Sequence, residues 1–522
     1  LSLYINDTQK DILKLYMDLY EKLGVDSPES DFLHGALTHM DGLISGSELV
    51  SESHTRQRLA VLATQLQQKQ LKTPVSDISI NEDLSGSLEI ILQYAGMDAT
   101  FSKDFKDLVL QYMRTADKAS SEDRVRELRL RITSAFYTLY TQTYFRTKEN
   151  PAIPLAVQLF LYFGYVDENL AGTENLGFLC QAAQVLSKRT VSNVYTFYDW
   201  LNAIYDGKKE PCRNEFDEDY TDYIHVQKVS KKITAAEETA LLADVRKKVE
   251  YELANVFLSV NKVTFGRISA FCPIFSAHNL LKRPDAAFVS EKELTQILSA
   301  IISVDFTAFY REYIYTNTAA SIPKESLHLE ILPDIILMPN IGTRGVMWQE
   351  IEGRKRSTPA RMMLSVFYLE DLRPAIVRLT GEYRWEMCKR IQGARWNDVS
   401  ERSLTSEYFD YIQFYKKNHD LSPDTKEKIK SALQKARNSF KEMIVRDYIT
   451  YIIYESEGSP RLTKPARTIL FNYCPFAASV RKALTTSPIY KDSVERYAVV
   501  LQQQLRKMDL LEKRVENAGA TI

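Results

Sequence analysis

Apolar positions recur at helical spacing through most of the chain. Ile12, Leu15, Tyr16, Leu19, Tyr20 and Leu23 lie along one face of a helix over Thr8–Leu23. Similar spacing predicts helices at Phe32–Leu43, Thr55–Gln70, Ser87–Tyr94, Ser102–Arg114, Glu122–Arg146, Gly177–Lys188 and Val194–Tyr205, with loop at Ser45–Ser53 and irregular chain at Thr73–Gly86. Ser120 and Ser121 offer caps to the Glu122 helix, and Glu122 and Asp123 put negative charge in its first turn. Pro151–Val166 is almost wholly apolar but falls short of the roughly 18 residues a membrane span needs, so it reads as a buried helix.

Capping signals organise the second half. Thr234 and Glu237 form a capping box that predicts a helix to about Val263. Ser290 and Glu293 repeat the pattern before a helix to about Tyr315. Glu407–Lys416 has a helical rhythm of tyrosines. Ser422-Pro423 and Ser487-Pro488 each pair an N-cap with proline at the first helical position. The first of these helices extends to about Tyr454 or bends on the way. The second carries Val494, Leu501, Met508 and Val515 seven apart, with Leu505 between and Gly519 at its end. Such a seam faces another helix of the chain or, alternatively, the same helix of a second copy.

The period changes in the middle. Leu327, Leu329 and Ile331 alternate with polar neighbours, and Ile335–Met338 follows as a continuous apolar run after Pro333. Leu364–Leu369 and Ala375–Leu379 are further strand candidates. The predicted fold class is therefore mainly α: a multi-domain helical protein with a small β-containing segment around residues 326–380. Asp206–Asp222 is charged, holds Gly207 and Pro211 and lacks apolar periodicity, so it predicts an exposed linker. The expected domains are 1–205, a helical unit; 206–222, the linker; and 223–522, a helical unit carrying the sheet insertion and the long C-terminal helices.

Charge narrows the function classes. The formal net charge of −1 argues against a dedicated nucleic-acid binder while leaving room for a local basic patch. One such patch exists: Asn340–Trp396 holds eleven Lys and Arg against six Asp and Glu. It contains the turn Gly342-Thr343-Arg344-Gly345, which follows a strand-like run, and three of the four tryptophans. Arginines pair with phosphate oxygens and tryptophans stack on bases, so the candidate ligand-binding residues are Arg344, Trp348, Arg354, Lys355, Arg356, Arg361, Trp385, Arg395 and Trp396.

No phosphate-cradling, nucleophile-elbow, kinase or calcium-loop motif accompanies them. His34 and His39 lack a zinc-binding frame, and the five cysteines form no C-x-x-C, so no metal or cofactor is expected. Isolated cysteines also point to a reducing, cytoplasmic setting. The functional expectation is a non-enzymatic cytosolic scaffold or adaptor working through protein partners, without a membrane span. The first alternative is a binder of a phosphate-bearing ligand, nucleotide or nucleic acid, through residues 342–396. The second is an enzyme of unrecognised class using Arg344, Glu350 and Glu352 in the same stretch.

Overall fold

A computed structural model describes residues 86–116, 122–164, 177–183, 186, 193–214, 218–258, 284–342, 345–348 and 359–519. The expectations for Thr8–Leu23, Phe32–Leu43 with His34 and His39, Ser45–Ser53, Thr55–Gln70, Ser120, Ser121, Glu350 and Glu352 lie outside the described residues. The chain is mainly helical with a small β-segment in its middle.

Among the described residues, helices α1 (Ser87–Ala95), α2 (Ala99–Ala116) and α3 (Glu122–Glu149) come first. Gly86 and Gly96 bracket α1 at φ of 77° and 70°, a conformation that costs glycine little. Pro154 precedes α4 (Leu155–Phe163), which is buried along most of its length. An aromatic seam joins α3 to α4: Phe136 and Tyr140 lie 5.2 and 5.6 Å from the Phe160 ring. Residues 177–183 form α5.

The helix expected over Val194–Tyr205 divides. Val194–Thr196 is strand β1, and α6 spans Phe197–Tyr205. Two β-branched residues and a tyrosine suit a strand edge, and the Thr196 hydroxyl then caps α6 by accepting from Asp199 N. The stretch 206–222 is not uniformly exposed. Asp206–Lys208 and Glu210 face solvent, whereas Pro211, Cys212 and Arg213 are buried. The cause is Glu252, fully buried, whose Oε2 accepts from Cys212 N at 2.6 Å. Asp219 caps α7 (Tyr220–Val229).

The capping box of Thr234 and Glu237 forms as expected, but α8 ends at Ala243. Asp244 is extended, and its side chain accepts from Lys247 N to start α9 (Val245–Leu258). One expected helix is therefore two. Likewise α10 runs only from Glu291 to Val304, not to Tyr315. Tyr310–Asn317, rich in tyrosine, forms β2 and pairs antiparallel with β3 (Ile322–Glu330).

The other sheet has the order β1-β4-β6-β5, with β4 Asp334–Gly342, β5 Val346–Trp348 and β6 Arg361–Tyr368. β1, β4 and β6 are parallel; β5 runs antiparallel on the edge. Ile335–Met338 and every residue of β6 are buried, as fits strands covered on both faces. Leu364 and Phe367, three apart on β6, stand on opposite faces. Leu364 lies beside Leu379 of α11 (Leu372–Gln392), and the Phe367 ring lies 5.7 Å from Phe163 of α4. Helices thus layer both sides of the sheet.

Ala375–Leu379, expected as a strand, belongs to α11. Asp371 caps that helix, and Pro374 sits in its first turn, where no N–H bond is lost. The C-terminal third comprises α12 (Leu404–Gln413), α13 (Pro423–Lys435), α14 (Phe440–Ile453), α15 (Lys464–Tyr473), α16 (Ala478–Leu484) and α17 (Pro488–Gly519). The bend expected before Tyr454 lies between α13 and α14, where Arg437 and Asn438 adopt φ of 51° and 60° and Ser439 caps the next helix.

Candidate functional site

The basic, tryptophan-rich segment divides among several places. Arg344, Arg354, Lys355 and Arg356 lie outside the described residues, and of Trp348 only the backbone, in β5 opposite Arg361, is described. Arg361 opens β6 and is buried. Its Nη2 donates to Glu210 O at 2.7 Å, and its guanidinium lies 5.0 Å from the Trp200 ring centre. It also faces Glu252, whose carboxyl is pushed up by burial and drawn back by Arg361 and by donors from Cys212 and Trp200. Trp200 Nε1 and Cys212 Sγ both donate to Glu252 Oε1, at 2.6 and 2.9 Å. Arg361 therefore neutralises a buried carboxylate and ties 206–222 to the sheet.

Trp385 and Trp396 form a different group. Trp385 is buried on α11 and meets Trp396 edge-on at 5.8 Å. Trp396 in turn meets Phe409 of α12 at 5.4 Å, and Lys389 Nζ lies 5.1 Å from its ring centre. Arg395 is exposed and contacts Asp398 at 3.0 Å and Glu401 at 2.5 Å. Donors from Ser400, then Arg395, hold the Asp398 carboxyl down to about 2. The described candidates are thus turned to different partners: Arg361 to the start of the sheet, Arg395 to the turn after α11.

Burial pushes the Cys474 thiol up to about 12, far from thiolate at neutral pH. Among the described residues no His, Cys, Asp and Glu group is placed to hold a metal ion.

Two features escaped the sequence reading. The first is in the sheet: Asn340 and Ser365 are fully buried, yet neither side chain meets a hydrogen-bond partner. Pro339, inside an otherwise strand-like run, was the available signal.

The second is the outward face of α17. Its inner face docks within the chain. Tyr490 is fully buried and donates to the Glu455 backbone at 3.2 Å, Val494 and Tyr497 pack on the main core, and Leu501 packs with Phe306 and Ala477. The opposite side leaves Ile489, Val499, Val500 and Leu510 exposed. Ile489 and Val500 are eleven apart, as are Val499 and Leu510, which is three helical turns. At about 100° per residue all four fall within an arc of about 100°. A heptad reading that followed only the seam through Val494 and Leu501 could not bring these positions together.

Among the described residues no helix is long and apolar enough to cross a membrane. A protein family described as a domain of unknown function (DUF8509) matches residues 393–522, which are α12 to α17 with the turn before them. No curated protein and no solved structure matches the chain.

Proposed function

We propose that the chain is a non-enzymatic, cytoplasmic interaction protein that presents the outward face of α17 to a helical partner. The observation that carries this reading is the shared arc of Ile489, Val499, Val500 and Leu510, with exposures of 48%, 56%, 46% and 60%. Large apolar side chains grouped on one side of an anchored helix suit helix-to-helix docking, in which anchors recur every three or four residues or at whole turns. At 32 residues the helix is about 48 Å long, enough for several anchors. The cytoplasmic setting is supported by the spacing of the five cysteines, which are isolated along the chain and form no C-x-x-C.

The test is a double substitution, Val499→Glu with Leu510→Glu, against Gln502→Glu on another exposed side of the helix. A partner recovered with the parent is then prepared pure and titrated against all three. The reading expects at least tenfold weaker binding for the double variant and an unchanged constant for Gln502→Glu. Equal binding by all three overturns it. Because the substituted side chains are exposed, folding should change by no more than about 0.5 kcal/mol.

A further inference from the structure

Proline has no N–H to give to a ladder, and β4 carries Pro339 in its centre. The register with β6 shifts there. Met338 stands opposite Ser365 and Ile341 opposite Phe367, so Pro339 and Asn340 together face Val366 alone. Such a bulge re-aims side chains and recurs beside functional sites. Here it falls towards the carboxyl ends of parallel strands, where α/β sheets receive their ligands.

The chemistry at the bulge is unbalanced. Asn340 is fully buried with both its amide oxygen and its amide nitrogen unpartnered, and Ser365 is fully buried with its hydroxyl unpartnered. Buried polar groups are almost always satisfied, and those that are not call for an unseen partner. Gly342 belongs to the same place: a Cβ there would come within 2.3 Å of Ser365 Oγ, so the backbone passes close to that hydroxyl only because the residue is glycine. A carboxamide presents one donor side and one acceptor side in a plane, and a hydroxyl does either. Both are neutral. An ionised ligand would be stripped of water against them without a counter-charge.

We propose that Asn340 and Ser365 form the polar floor of an enclosed site for a neutral planar group with adjacent donor and acceptor. That chemistry belongs to the edge of a nucleobase or to a small carboxamide. An asparagine amide reads adenine in this way, through one donated and one accepted bond. The site is independent of the α17 surface.

The experiment is thermal melting and calorimetric titration of the full chain with adenosine, guanosine, cytidine, uridine and nicotinamide at millimolar concentration. The parent should be stabilised by at least one of them. A nucleoside response with none from nicotinamide assigns a base site; the reverse assigns a carboxamide site. Asn340→Leu, close in size and free of unpaired polar atoms, should fold at least as well as the parent and bind at least tenfold more weakly. Ser365→Ala, a smaller change, gives the same readout if Asn340→Leu does not fold. Absence of any response in the parent, or equal binding by parent and variants, overturns the proposal and leaves the bulge as a buried water site or a packing defect.

Discussion

Glu455 fastens α17 to the rest of the C-terminal helices, and removing it tests that fastening. Its carboxylate is fully buried. It accepts from Arg461 N and Leu462 N, both at 2.6 Å, from Arg467 Nε at 2.5 Å and Nη2 at 3.0 Å, and from the Tyr490 hydroxyl. Arg467 sits on α15 and Tyr490 on the first turn of α17, so one side chain joins three segments. Glu455→Ala strands a buried guanidinium and two backbone donors. Breaking a buried pair from one side costs about 3–5 kcal/mol. Glu455→Gln keeps an acceptor but loses the charge, and should cost about 1–3 kcal/mol. Arg467→Met removes the opposite charge, so a double-mutant cycle should return a coupling of about 2 kcal/mol or more.

The measurement is urea unfolding at neutral pH, followed by circular dichroism and by hydrogen exchange along α17. Burial opposes ionisation of Glu455, but Arg467, Tyr490 and Leu462 N outweigh it and hold the carboxyl below its ordinary range. A depressed carboxyl contributes stability above its unfolded value of about 4.5 and loses it as pH falls. The parent should therefore lose its advantage over Glu455→Gln in acid. A loss below about 1 kcal/mol for Glu455→Ala, or no quickening of exchange in α17, would refute the reasoning.

Other expectations follow from single environments. Asp447 Oδ2 accepts from the Tyr408 hydroxyl at 2.6 Å, and burial pushes its carboxyl up to about 6. A raised carboxyl favours the fold below its unfolded pKa and costs stability as pH rises through 6. Asp447→Asn should thus match the parent near pH 4 and exceed it at pH 7.5, by at most about 3 kcal/mol and less because the residue is half-buried; no pH-dependent gap would contradict this. Gly345→Ala brings a Cβ to 2.8 Å from Met363 O and 2.5 Å from Leu364 Cδ2, and should cost about 1–3 kcal/mol in urea unfolding. Trypsin should cut after exposed Lys208 and spare buried Arg213; early cleavage at Arg213 would show that the Glu252 contacts do not hold 206–222 in place.

Local chemistry made much of the fold legible. Thr234 with Glu237, Ser422 with Pro423 and the apolar run Ile335–Met338 each carry their cause within a few residues. The failures share a different cause. Asp244 ends one helix by capping the next, and Tyr310–Asn317 becomes a strand because β3 is there to pair with it. Ala375–Leu379 has an apolar content that fits either period, and only the cap at Asp371 decides for helix. The buried course of Pro211–Arg213 depends on Glu252, some forty residues away. The candidate site was legible as composition, in the arginines and tryptophans of 342–396. Arg361 and Arg395, however, are bound to partners that spacing cannot reveal. Asn340 drew no attention because a single polar residue in an apolar run has no period.

Whether α17 meets a partner with its outward face is decided by a photo-crosslinking scan. A photoreactive residue placed in turn at each position from Ile489 to Leu510 reports what lies against each side of the helix in the cell. The account predicts a discrete product whose yield peaks at Ile489, Val499, Val500 and Leu510, falls at Gln502, and follows the helical period of about 3.6 residues. A flat profile, or one centred on Gln502, would contradict it.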